Sequence, residues 1–268
     1  MPTIKINDIN MYYEVYGEGE PVVLVSGFSA DHLTWLFAIE HLSKHYQVLV
    51  FDNRGAGRTD IPDAPYSIEQ MAGDIAGLCS ALNITRAHFV GNSMGGYLVQ
   101  AVAYHYPALV KSVAICNSGL GTWSSYYTYL SARLEMLKMD IPQSILLRIA
   151  AAWVFSPSFL YKQDNLDMFI QLGMQNPYPF TVNGFKGQYA AISAFDSHDW
   201  VGKITVPALV IGADSDLVLP ACLAEAVHAH LPQSSYYCFK NCGHLPHVEY
   251  PEEFSNLIRN FFASVPND

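Results

Sequence analysis

The segment Gly91-Asn92-Ser93-Met94-Gly95-Gly96 constrains this chain more than any other six residues. An apolar run, Ala87-His88-Phe89-Val90, precedes it and reads as a strand. A second run, Tyr97 to Ala103, follows it and reads as a helix. A serine at the apex of so tight a strand-to-helix turn needs neighbours without a Cβ, and glycines stand at 91 and 95. The turn projects the hydroxyl out of the fold and makes the next N–H the start of a helix. A nucleophile, an N–H donor and the positive end of a helix dipole then share one turn. An ordinary glycine-rich loop is the plain alternative, and the flanking strand and helix argue against it.

The rest of the chain supplies a sheet for that turn. Pro21–Val25 and Gln47–Phe51 are continuous β-branched or apolar runs, as in strands buried on both faces. Strand signals also fall at residues 3–6, 11–16, 86–90, 110–116, 206–211 and 234–239. Helices are predicted over 33–44, from Ser67 to Leu82, from the serine turn to Tyr106, over 220–231 and over 251–263. Ser67 and Gln70 have capping-box spacing, and Pro107 stops the third helix. Alternating strands and helices argue for a mostly parallel sheet covered on both faces. Residues 119–200 break the pattern, with helical periodicity, many aromatics and no strong strand. The reading is one α/β core domain, residues 1–118 and 201–268, carrying a helical insertion over 119–200.

The chain has 268 residues, 51% of them hydrophobic and 14% charged, enough to bury a large core without staples. The net charge is −10, and no basic stripe interrupts it. Nucleic acid and an anionic membrane surface are therefore not expected partners. No apolar run is long enough to span a bilayer, and the start lacks a signal-peptide pattern. Five cysteines read as small buried hydrophobes in a reducing compartment. The expected location is the cytoplasm. The oligomeric state stays open, a homodimer included.

A serine hydroxyl needs a base, and the base needs an orienting carboxylate. Both should follow the serine on later strand ends, where open α/β sheets place their ligands. The strand at 206–211 runs into Asp214-Ser215-Asp216, and the strand at 234–239 runs into Gly243-His244. His244 is the predicted base. Asp216 is the preferred acid, with Asp214 as the alternative. The Phe28 and Met94 N–H groups are the candidate oxyanion hole, Phe28 coming from the Ser26-Gly27-Phe28-Ser29 loop after the 21–25 strand. His247 is predicted at a loop rim. Cys242, His244 and His247 match no common zinc spacing, so no metal is expected.

These marks together resemble the α/β-hydrolase fold, in its lactonase and esterase branch. They include the Ser26-Gly27-Phe28 loop, Asp52 to Thr59, Gly91 to Gly96, Asp216 to Pro220, and Gly243-His244 with Glu249 and Pro251. The resemblance covers essentially the whole length. It implies an eight-stranded sheet, a lid built from 119–200, and scaffold roles for Arg54 and Arg58. Two departures stand out. Serine replaces the family's common histidine at position 26, and the Gly212–Asp216 spacing is one residue longer than usual. Closer likeness is to 3-oxoadipate enol-lactonases, with the Gly-Asn-Ser-Met-Gly-Gly form shared by meta-cleavage C–C hydrolases. Serine at 93 argues against haloalkane dehalogenases.

The expected activity is hydrolysis of a small carboxylic ester or lactone through an acyl-enzyme on Ser93, with no organic cofactor. Alternatives are C–C hydrolysis or perhydrolysis by the same residues, and a non-catalytic small-ligand receptor on the same fold. Arg133 and Arg148 are the insertion's only arginines, and each is a candidate for a substrate carboxylate or a solvated helix face.

Overall fold

In the computed structural model, which describes residues 2–63, 65–139 and 141–266, eight strands form one sheet. They are β1 (Thr3–Ile6), β2 (Ile9–Tyr16), β3 (Pro21–Val25), β4 (Gln47–Phe51), β5 (Ala87–Asn92), β6 (Val110–Cys116), β7 (Ala208–Ala213) and β8 (Ser234–Phe239). Their order is β1-β2-β4-β3-β5-β6-β7-β8. β1 and β2 pair antiparallel, β2 pairs antiparallel with β4, and every pairing from β4 to β8 is parallel.

The alternation within each central strand divides the core in two. Val23, Leu49, Phe89 and Val113 point to one face, Val22, Val48, Val90 and Ala114 to the other. The first face is covered by α2 (Ile68–Ala81), α3 (Met94–His105) and α9 (Ala221–His230), the second by α1 (Leu36–Leu42) and α11 (Pro251–Ser264). Each fully buried Val or Leu side chain stabilises this arrangement by roughly 1.5–3 kcal/mol.

Local chemistry sets the boundaries. The Ser67 hydroxyl accepts from the Gln70 N–H and caps α2. The strand expected at 206–211 begins at Ala208, because Pro207 has no N–H to give the ladder; its carbonyl instead accepts from the Val113 N–H. The helix expected over 33–44 is split into a 3-10 turn at His32–Trp35 and α1. Arg54 is buried as a scaffold residue. Its guanidinium spans Asp8 and Asp74, tying the β1–β2 turn to α2, and it holds the Asp8 carboxyl down at about 2.

Between β6 and β7 the chain forms α4 (Ser124–Lys138), α5 (Gln143–Val154), α6 (Pro157–Leu160), α7 (Gln163–Gln175) and α8 (Val182–Ala194). After β8 a short helix, α10 (Pro246–Glu249), precedes α11. Among the described residues no helix is long and apolar enough to cross a membrane.

Candidate active site

β5 continues to Asn92, so the chain enters Ser93 directly from the ladder and leaves it as α3. Ser93 has φ 60° and ψ −122°, a backbone state that costs a non-glycine residue on the order of 1–3 kcal/mol. Its glycine neighbours make the state possible. A Cβ at Gly91 would lie 2.1 Å from the Gly95 carbonyl oxygen, and one at Gly95 would lie 2.1 Å from the Val25 carbonyl oxygen. Those contacts press the head of α3 against the ends of β5 and β3.

The loop after β3 approaches just as closely, since a Cβ on Gly27 would be 3.0 Å from Ser93 Cβ. Phe28 and Met94 flank the serine, and neither N–H donates to a protein acceptor among the described residues. Ser26 braces this loop: its hydroxyl donates to the Asp31 carbonyl and its own carbonyl accepts from the Asn53 amide.

The two remaining strand ends bring His244 and Asp216 together. His244 Nδ1 lies 2.8 Å from Asp216 Oδ2. The Asp216 side chain is fully buried, yet each oxygen is used. Oδ1 accepts the Val218 and Leu219 N–H groups, and Oδ2 also accepts from the Asn117 amide at 2.9 Å. A buried carboxylate with this many donors is held in one orientation. Asp214 faces elsewhere, accepting from the Ser215 hydroxyl and lying 4.0 Å from Lys240. Asn117, in the left-handed region at φ 45°, follows β6. Its place at a parallel strand's carboxyl end is the one sequence signal that marks it.

Ser93 and His244 line one cavity of about 320 Å³. Its floor comes from the sheet loops and includes Gly27, Phe28 and Asp31. Its other walls come from α4, α5 and α7, with Tyr126, Ala150, Phe169 and Leu172. The apolar lining with few polar groups suits a small organic molecule. Of the two arginines singled out in the sequence, Arg133 lines this cavity, and Arg148 is exposed outside it.

His247 is not at a rim. Residues 246–249 fold into a helical turn that buries its ring against Trp35, centroids 4.3 Å apart, with Nδ1 unpartnered. Burial, with His244 nearby, pulls it down to about 3. The donor atoms of Cys242, His244 and His247 do not converge. Among the described residues those of Asp31, His32 and Asp52 do, and hydrogen bonds within the fold already engage them.

The profile of a family described as the alpha/beta hydrolase fold matches residues 20–251. This chain belongs to the α/β-hydrolase fold family. Within the family it is similar to 3-oxoadipate enol-lactonase 1 of Acinetobacter baylyi, 26% identical over 249 residues that cover 92% of this chain and 91% of the relative. It is 27% identical to the pyrrolizixenacetamide deacetylase of Xenorhabdus hominickii, with 98% of each chain covered. Among solved structures, a thermophilic esterase from Thermogutta terrifontis superposes with a TM-score of 0.88 at 25% identity over 100% of both chains. As an α/β-hydrolase with esterase and enol-lactonase relatives, the protein is a hydrolytic enzyme.

Proposed function

We propose that this α/β-hydrolase cleaves a small carboxylic ester or lactone through an acyl-enzyme on Ser93. The observation that carries the reading is the Asp216–His244 pair, 2.8 Å apart, opening onto the same apolar cavity as a serine held at φ 60°. His244 Nε2 takes the Ser93 proton as Oγ attacks the carbonyl. Asp216 keeps the other ring nitrogen protonated and balances the imidazolium. The free N–H groups of Phe28 and Met94 receive the oxyanion. His244 then passes its proton to the leaving oxygen, which departs from an ester and stays tethered in a lactone. Water, deprotonated by the same ring, releases the acid.

Residues 119–200 act as a cap, since α4, α5 and α7 wall the cavity over the sheet ends. The five free cysteines suit a reducing compartment, the cytoplasm.

The test is hydrolysis of p-nitrophenyl acetate by the wild type and Ser93→Ala. Turnover by the wild type and a loss of 10³-fold or more in the variant is the expected result. Equal rates would remove Ser93 from the reaction.

A further inference from the structure

We infer that Gln188, a buried residue of the cap, is the positioning residue for the loop that carries Phe28, so that α8 serves the chemistry as well as covering the cavity. The inference rests on the acyl-enzyme reading above and adds to it a residue that acts through the Phe28 N–H.

The loop after β3 holds an unfavourable shape. Ser29 sits in the left-handed region at φ 59°, which costs a non-glycine residue on the order of 1–3 kcal/mol. The loop does little to hold itself. The Ser26 hydroxyl donates to the Asp31 carbonyl, and the Ala30 N–H reaches the Gly27 carbonyl at 3.4 Å. The cap supplies the rest. Gln188 Oε1, 159 positions along the chain, accepts the Ser29 N–H at 3.0 Å. The Phe28 ring meets Phe180 and Phe185 edge-on, with centroids 5.7 and 4.8 Å away. The Asn176 amide donates to Asp31 at the loop's far end. The ring of Phe28 and the peptide after it are both fixed by the cap, which leaves its N–H one direction.

Gln188 is itself anchored. Its side chain is fully buried, and Nε2 donates to the Arg54 carbonyl at 2.9 Å. An N–H on one side and a carbonyl on the other decide which end of the amide is oxygen. Arg54 is the scaffold residue that spans Asp8 and Asp74. One turn earlier on the same face of α8, a Cβ at Gly184 would lie 2.0 Å from the Gly55 carbonyl oxygen. The helix is therefore seated directly on the Arg54–Gly55 turn. Gly27, Phe28 and Ser29 line the cavity, with Gln188 behind them. A side chain bonded at both ends and set behind the loop fixes geometry without touching substrate.

The test compares the wild type, Gln188→Met and Gln188→Glu on p-nitrophenyl acetate, with Tm measured alongside. Gln188→Met keeps the bulk and loses both bonds. It should lower kcat roughly tenfold to hundredfold with KM little changed, the scale of a misplaced oxyanion donor. Gln188→Glu keeps an acceptor for Ser29 and loses the donor to Arg54, so it should fall between. A trifluoromethyl ketone adds the second readout. Ser93 Oγ bonds to its carbonyl carbon, His244 takes the proton, and the carbonyl oxygen becomes the oxyanion. Its affinity should fall in Gln188→Met by the same factor as kcat, while the matching methyl ketone binds unchanged. A lower Tm with kcat within about threefold of the wild type, or equal weakening of both ketones, would overturn the inference. Should the wild type cleave no ester, the hydrolase reading has failed, and hydrogen exchange decides on Gln188 separately. A Ser29 amide that exchanges roughly tenfold faster in Gln188→Met supports the clamp on the loop. Equal exchange sinks it.

Discussion

Glu249 holds Ser156 at two points: Oε1 accepts the Ser156 N–H at 2.9 Å, and Oε2 accepts its hydroxyl at 2.5 Å. Oε1 also receives the Gly243 N–H at 2.9 Å, while the His244 N–H donates to the Val154 carbonyl at 2.7 Å. The loop carrying His244 is therefore sewn to the chain between α5 and α6. Gly243 fits because a Cβ there would lie 2.6 Å from both Ser156 N and the Val154 oxygen. Burial raises the Glu249 carboxyl above its ordinary 4.5, against the pull of these donors. An acid with a raised folded-state pKa binds more protons folded than unfolded, so its contribution falls as pH rises from 4.5 through the raised value. Glu249→Gln keeps the shape and removes the charge. Its Tm should match the wild type in acid and pull ahead as pH rises across that window. A gap that does not change with pH would contradict this.

The proposed mechanism assigns the acid to Asp216, which lies 2.8 Å from His244, and not to Asp214. Asp216→Asn is expected to lower kcat by roughly 10³- to 10⁴-fold, because His244 then loses the partner that fixes its tautomer. Asp214→Asn, whose side chain faces Ser215 and Lys240, should stay within about threefold of the wild type. Comparing kcat for the two variants checks both statements.

In the proposed mechanism Asn117 acts through Asp216, whose Oδ2 accepts its amide N–H. Asn117→Gly tolerates the left-handed backbone and deletes the side-chain amide, with its bond to Asp216 and its longer one to the Gly243 carbonyl. A hydrogen bond to a charged group is worth about 1.5–3 kcal/mol, so a loss of roughly tenfold to hundredfold in kcat is expected with KM little changed. A purely structural asparagine would show its loss in Tm alone.

His247 should make the protein acid-sensitive. Its folded-state value of about 3, against an unfolded 6.5, means the unfolded chain binds the extra proton between those limits. Stability is therefore fully present above pH 6.5 and declines as pH falls toward 3. His88, buried against Phe262 and pulled down to about 4, acts in the same direction. His247→Phe, which keeps an aromatic ring against Trp35, should flatten the fall in Tm between pH 6.5 and 4. An unchanged slope would show that His247 does not contribute.

What the sequence made legible was local. Glycines at 91 and 95, β-branched runs and the Ser67 cap announce themselves within a few residues, and the sheet follows from their alternation. The strand ends also pointed to Asp216 and His244, leaving Asp214 in play because only the turn after β7 decides which carboxylate faces the ring. Asn117 stayed hidden because its partner lies 99 positions away. His247 was misplaced for a similar reason. Nothing near Pro246-His247-Val248-Glu249 shows that Trp35, on the far side of the sequence, is waiting to cover the ring. Arg133 and Arg148 looked equivalent until the orientations of α4 and α5 separated them.

The strained turn at Ser93 has an evolutionary side. A backbone state that an L-residue adopts at a cost of about 1–3 kcal/mol is one that glycine enters freely, less about 0.5–1 kcal/mol for glycine's greater unfolded freedom. Ser93→Gly should therefore fold into a more durable protein than the wild type while losing its chemistry. Selection for endurance alone would erase the serine; with Ser93 as the proposed nucleophile, the strained turn is where usefulness is kept at the expense of robustness.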